Sequence, residues 1–186
     1  MQWLRRLGAC CICCVERSPL PSLDATTELL SRQRICEVIH RYAEAVDERS
    51  PERLLSCFTT DATISYNGMG GALSPHAVAE IMSAEGGFAR NVPGLDEIAI
   101  STHVMSGIIV EFTDEGAKAR CTGLAYLGGR RAGEHVMLVH GIRYFDDFVQ
   151  TAGGWRIQHR VHRLEWGFDA PPGPDRLARW NPAARL

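Results

Sequence analysis

Apolar residues recur at helical spacing in the first third of the chain and at alternating spacing in its second half, and the change of period organises everything else. From Asp24 onward Ile35, Val38, Ile39, Tyr42, Ala45 and Val46 fall on one stripe. The pattern predicts a helix of roughly twenty residues, with Asp24 as its N-cap. Ser50-Pro51 opens a second helix, serine capping and proline in the first turn, that carries Leu54, Leu55 and Phe58 inward. Residues 62–66 read as a short strand and 67–71 as a loop, and Ser74-Pro75 starts a third helix that runs to about Met82 and fades at Gly86-Gly87. Four long β-rich stretches follow at 98–112, 117–127, 134–148 and 155–166, separated by Asp114-Glu115-Gly116, Gly128-Gly129 and Gly153-Gly154. Helices first and a run of antiparallel strands after them is an α+β pattern, a strongly curved and mostly antiparallel sheet wrapped on the N-terminal helices.

The two ends stand apart from this pattern. Arg5 and Arg6 before residues 7–15 imitate the charged and apolar parts of a secretion leader, but no small-residue cleavage site follows. Residues 1–22, with Cys10, Cys11, Cys13 and Cys14, therefore read as a disordered cysteine-rich extension, with lipidation or an incorrect start as alternatives. The domain itself is placed at 23–168. The tail, 169–186, carries Pro171, Pro172 and Pro174 and reads as extended, with one short docking helix from Pro174 to Trp180 as the alternative.

Composition narrows the class. The chain has 186 residues, 45% of them apolar, a net charge of -2 and a pI near 6.4, which fits one soluble domain and offers no basic face for nucleic acid. No uninterrupted apolar run is long enough to span a bilayer. Cys36, Cys57 and Cys121 fall singly inside predicted elements, as buried free thiols of a reducing compartment do, so a cytoplasmic location is expected.

Several chemistries can be struck out. Gly68-x-Gly70 lacks the third glycine of a dinucleotide cradle, and there is no G-x-S-x-G elbow and no H-E-x-x-H. His159 and His162, three residues apart on a strand, point to opposite faces and cannot share a metal ion; His135 and His140 fail the same test. His40 and His76 sit on predicted helix surfaces. No metal and no cofactor is expected. Arg143, Arg156, Arg160 and Arg163 read as a solvated sheet face or a subunit interface, with Arg163 on the side opposite Arg156 and Arg160. Trp155 is expected to pack on the first helix and Trp166 to close the sheet.

What remains is an order of elements and a few motifs. Tyr42-Ala43-Glu44-Ala45-Val46-Asp47, Leu54-Leu55-Ser56-Cys57-Phe58-Thr59-Thr60-Asp61-Ala62, the strand bearing Thr102-His103, and Gly153-Gly154-Trp155-Arg156-Ile157 together resemble the SnoaL-like branch of the nuclear-transport-factor-2-like superfamily, over about residues 29–166. The resemblance implies a cone-shaped barrel, the sheet curling around the first helices and leaving a pocket at its wide end. Within that superfamily the pattern is similar to scytalone dehydratase, hexachlorocyclohexane dehydrochlorinase and bacterial bile-acid dehydratase, which pair an Asp after the first helix with a His on the first long strand. Those positions are Asp47 and His103 here. Tyr66 matches a tyrosine that scytalone dehydratase directs at its substrate, and His140 falls where that enzyme has a pocket asparagine. Val46 stands in place of its second tyrosine, and a glycine near Gly128 in place of its second catalytic histidine.

The residues support a mechanism of their own. A free carboxyl titrates at about 3.9 and a free imidazole at about 6.5, and an acid that fixes the tautomer of an imidazole makes a proton acceptor near neutral pH without metal or cofactor. Strand alternation puts His103 on one face with Met105 and Ile109, and Thr102 and Val104 on the other. Asp47 is expected to accept the Nδ1–H of His103 and leave Nε2 free to take a substrate proton. Tyr66, with His140 or Tyr126 as a second candidate, would hydrogen-bond the oxygen on which charge develops. Tyr42, Val46, Met105, Tyr126 and His140 are the expected substrate contacts. The function that follows is a cofactor-independent lyase or isomerase, dehydratase-like, acting on a small apolar cyclic molecule of the polyketide or steroid kind. The alternative is a non-catalytic module of the same fold for hydrophobic-ligand binding or subunit assembly. A homodimer is expected in either case.

Overall fold

The computed structural model describes residues 24–66, 71–84, 87–91 and 95–170; the expectations for 1–22, for the loop at 67–70 and for the tail beyond 170 lie outside the described residues. Asp24 starts the first helix, α1 (Ala25–Asp47), by accepting the backbone N–H groups of Thr26 and Thr27 at 3.0 and 3.1 Å, a cap of about 1 kcal/mol. Its buried stripe holds Ile35, Val38, Ile39, Tyr42 and Ala45. The helix ends in a Schellman turn: Ser50 N–H reaches Ala45 O at 2.9 Å, Arg49 N–H reaches Val46 O at 3.2 Å, and Arg49 takes the left-handed conformation at φ 52°. Asp47 is thereby the last helical residue, its backbone fixed by the turn that follows.

After α2 (Pro51–Leu55) come β1 (Phe58–Tyr66), the two-residue β2 (Ala72–Leu73), α3 (Pro75–Ser83) and a 3-10 turn at Gly87–Asn91. The long strands are β3 (Glu97–Thr113), β4 (Gly116–Arg131), β5 (Glu134–Thr151) and β6 (Gly154–Ala170). With β1 and β2 they form one six-stranded sheet in the order β2-β1-β6-β5-β4-β3, antiparallel except for β1 beside β6, curved around α1 as a cone that does not close. β1 begins at Phe58, earlier than its sequence suggested, and β2 and the 3-10 turn, which follow the expected loop and the end of the third helix, were not anticipated.

Cα partners across the sheet resolve its inner face into layers. Phe112, Ala117, Phe148, Ile157 and Phe58 form an apolar base. Above it lie Val110, Ala119, Asp146, Arg160 and Ile64, then Cys121, Tyr144, His162 and Tyr66. Met105, Gly123, Ile142 and Leu164 follow, and then His103, Ala125, His140 and Gly167. Every second residue of β4 from 117 to 125 is small and buried, so neighbouring side chains close over it, Met105 and Ile142 at Gly123.

The register shifts at five places, and three of these bulges bear on the inner face. At Gly107 (φ 58°) and Ile108 two residues of β3 oppose Cys121 alone, so Val110 is buried and Ile109 is 45% exposed on the outer face, not beside His103 as strict alternation gave it. On β6 the pairs Phe148–Ile157 and Asp147–His159 leave Gln158 unpaired. That extra residue turns Arg160 and His162 inward, so Arg160, expected on a solvated face, is 1% exposed. Glu165 is likewise extra between the pairs Ile142–Leu164 and Gly141–Trp166. Trp155 is buried, its ring 6.1 Å from that of Phe112. Trp166 does not close the sheet: it lies half exposed on the outer face, across Gly141, where an added Cβ would fall 2.1 Å from the indole.

Candidate active site

β3 is an edge strand, so the main-chain N–H of every second residue points away from the sheet and needs another acceptor. Asp47 supplies it at His103. Its Oδ2 accepts the His103 N–H at 2.7 Å and its Oδ1 lies 2.6 Å from the ring Nδ1. The side chains are 22% and 10% exposed, so the pair sits at the border of protein and solvent. Burial alone would push the Asp47 carboxyl up, but the hydrogen bonds and charge of His103, with a smaller contribution from the Ser101 hydroxyl, hold it below its ordinary value. An ionised acceptor at Oδ1 requires Nδ1 to carry the proton. In the neutral ring Nε2 is then the free base.

Tyr42 and Tyr66 meet through their hydroxyls at 2.6 Å. Burial raises the pKa of both, Tyr66 well above its ordinary value with Tyr42 and Tyr144 adding to it, so both stay phenols. Beneath them Arg160 is inserted between two rings, its guanidinium 4.0 Å from the centroid of Tyr42 and 4.2 Å from that of Tyr144. Asp146 holds it in a bidentate pair, Nε to Oδ1 at 2.7 Å and Nη2 to Oδ2 at 2.6 Å, both side chains essentially unexposed. Arg160 Nη1 has no hydrogen-bond partner among the described residues.

The other residues singled out by sequence divide by face. His140 lies in the same layer as His103, half-buried, with burial pushing its pKa down. Met105 is in the adjoining layer against Gly123, and Val46 packs at the edge of the core. Tyr126 is not part of this group. It pairs with Thr102 and Val139, belongs to the outer face and is 37% exposed, because its alternation with the inward Ala125 and Leu127 is unbroken. His159 and His162 face opposite ways, His159 outward where its Nδ1 meets Thr63 Oγ1 at 2.7 Å. His162, discarded as half of a metal pair, instead joins the inner face, its ring 5.2 Å from Tyr66 and 5.3 Å from Tyr144.

A curved sheet wrapped on a long N-terminal helix has counterparts among known proteins. Residues 27–161 match the SnoaL-like domain. The chain belongs to the SnoaL-like domain family. This SnoaL-like chain is 26% identical over 147 residues to an uncharacterized protein of Mycobacterium tuberculosis, covering 75% of this chain and 89% of that one. Among solved structures it is similar to a putative scytalone dehydratase from Novosphingobium aromaticivorans, with TM-score 0.63, 23% identity, and 80% and 93% of the two chains covered. It is also similar to hexachlorocyclohexane dehydrochlorinase LinA-type3 from Novosphingobium barchaimii, with TM-score 0.59, 19% identity, and 78% and 97% covered. At these identities the structural likeness speaks for the fold.

In this SnoaL-like domain the residues that sequence reading missed are Arg160, Asp146, Tyr144 and His162, all inner-face positions of β5 and β6. Gly107 within a strand was a visible signal for the first bulge. Nothing comparable marks Gln158.

Proposed function

We propose that this SnoaL-like domain is a cofactor-independent lyase or isomerase, dehydratase-like, that removes a proton from a small, largely apolar cyclic substrate. The observation that carries the reading is the two-point contact of Asp47 with the main chain and ring of His103. It fixes the ring in position and tautomer, as a general base requires. Asp47 then stabilises the imidazolium once His103 Nε2 has taken the proton. Tyr66, accepting from Tyr42, keeps its own O–H for the substrate oxygen that gains charge or departs. Val46, Met105 and His140 would contact the apolar body of the substrate. Tyr126 has no part in this chemistry.

Deuterium exchange tests proton abstraction without knowledge of the natural substrate. Small cyclic ketones are incubated with the protein in D2O and loss of the α-proton signal is followed by NMR. Exchange by the wild type should fall by about 10³-fold or more in His103→Gln and by at least tenfold in Asp47→Asn. Equal rates for wild type and both variants would sink the base assignment.

The outer face supports the expected homodimer. Val104, Ile109, Tyr126, Val161, Trp166 and Phe168 each expose between 37% and 55% of their surface there. Trp166 and Phe168 stack with centroids 6.2 Å apart. Apolar surface gathered in this way on one sheet face is what a second copy would cover.

A further inference from the structure

His162 occupies the layer between that of the buried Arg160 and that of Met105 and Ile142, flanked by Tyr66 on β1 and Tyr144 on β5. Its Nδ1 is buried and has no hydrogen-bond partner among the described residues. An orphaned N–H in such a place is far rarer and more costly than an orphaned lone pair, so the proton of the neutral ring belongs on Nε2. The residue as a whole is not sealed: His162 keeps intermediate exposure. Burial first, then the charge of Arg160 and of the His103 and His140 rings, push its pKa down to about 4; its own main chain gives the small interaction that favours charge.

His103 and His162 are thus two imidazoles on one concave face whose neutral forms are opposite tautomers. His103 carries its proton on Nδ1, tied to Asp47, and presents a lone pair at Nε2. His162 presents the converse, an N–H at the same ring position. A neutral imidazole N–H is an effective hydrogen-bond donor to an oxygen gaining negative charge, because it is too weakly acidic to lose its proton to that oxygen.

We propose that His162 is a substrate-binding residue of this site, donating its Nε2–H, beside the Tyr66 hydroxyl, to a substrate oxygen that becomes enolate-like as His103 removes the proton. The inference rests on the base assignment above. It adds a substrate class: a ring compound whose acidic C–H lies next to a carbonyl. No covalent step is added, since the proton passes from substrate carbon to His103 Nε2 and the electron pair moves onto the oxygen that His162 and Tyr66 hold.

Long-range ¹H–¹⁵N spectra of the imidazole rings in the labelled full chain test it, first without ligand and then with 4-nitrophenol, whose oxygen imitates an enolate. At pH 7 His162 should appear as the neutral Nε2–H tautomer and His103 as Nδ1–H. Saturation with 4-nitrophenol should shift the His162 Nε2 signal. His162→Phe, which keeps an aromatic ring between Tyr66 and Tyr144, should weaken phenol binding about tenfold, and His162→Gln should restore most of it. An Nδ1–H or doubly protonated His162 at pH 7 overturns the proposal. So does phenol binding that is the same in wild type and His162→Phe, or absent from both. Deuterium exchange that survives His103→Gln would instead defeat the base assignment, whatever the His162 signals show.

Discussion

Asp146 and Asp147 are consecutive residues on β5 that make ion pairs of nearly equal length on opposite faces of the sheet, so they separate burial from contact geometry. Asp146 binds Arg160 at 2.6 Å with side-chain exposures of 1% and 0%, whereas Asp147 binds Lys118 at 2.7 Å with exposures of 42% and 65%. Converting Asp147 to Asn removes a solvated pair and should cost at most about 1 kcal/mol. Asp146→Asn keeps the shape but leaves a fully buried guanidinium without a counter-charge, and loss of one partner from such a pair costs roughly 3–5 kcal/mol. For a domain of this size each kcal/mol moves Tm by roughly 2–4 °C, so the two variants should differ by about 4–20 °C in a thermal melt followed by circular dichroism. Urea titration gives the free energies directly. The double variant Asp146→Leu with Arg160→Met removes both charges and should recover most of the loss, since apolar replacement of a whole buried pair is often neutral. Equal melting temperatures for Asp146→Asn and Asp147→Asn would refute the claim that the buried pair anchors the inner face, as would a double variant no more stable than Asp146→Asn.

Other expectations bear on the site and its surroundings. Folding lowers the pKa of His162 from 6.5 to about 4, so between those values the unfolded chain binds a proton that the folded chain does not. The stability held above pH 6.5 is therefore lost as pH falls through that window, by roughly 3 kcal/mol, and urea melts at pH 7 and pH 4.5 should show a smaller difference in His162→Phe than in wild type. Asp47 shifts the opposite way for an acid: its folded pKa lies below 3.8, so its contribution is present above that value and fades only as pH falls through the folded pKa. Asp47→Asn should consequently cost about 1–3 kcal/mol at pH 7 in the same assay. Tyr66→Phe should lower deuterium exchange by roughly 10- to 100-fold while Tyr126→Phe leaves it unchanged; a larger effect at Tyr126 would reverse their assignments. Sedimentation equilibrium should give a dimer for wild type and a monomer for Trp166→Glu, and Gly141→Ala, whose Cβ displaces the indole, should weaken the dimer without unfolding it.

The parts of the site that could be read from sequence are those that regular structure fixes. Asp47 ends an unbroken helical stripe, and His103 is two residues from Met105 on a stretch of β3 free of bulges, so periodicity agreed with the pairing that the family resemblance implied. Ile109 and Arg160 lie beyond bulges, where one added residue reverses every later side chain. On β6 the misreading was reinforced by hydrophobicity. Trp155 and Ile157 point inward, and extrapolation carries the apolar Val161 to the inner face and the charged Arg160 outward, the reverse of what Gln158 produces. The parallel pairing of β1 with β6 was equally hidden, because it joins strands from opposite ends of the domain and leaves no local pattern.

That reversal also determines which charges the inner face can tolerate. Without the extra residue at Gln158, His159 and Val161 would stand in the layers now held by Arg160 and His162, and Asp146 would lose its buried counter-ion. With it, the guanidinium lies directly below the layer of Tyr66, Tyr144 and His162. On the proposed reaction, proton transfer creates two charges at once, an imidazolium at His103 and an anion on the substrate oxygen. The first forms against the Asp47 carboxylate. The second forms against two neutral donors backed by the Arg160 cation, which favours negative charge on the neighbouring phenols and opposes positive charge on His162. Both complements exist before substrate binds, so little reorganisation remains at the moment of transfer, which is how preorganised dipoles and charges lower a barrier. On that proposal the bulge on β6 belongs to the chemistry as much as to the fold.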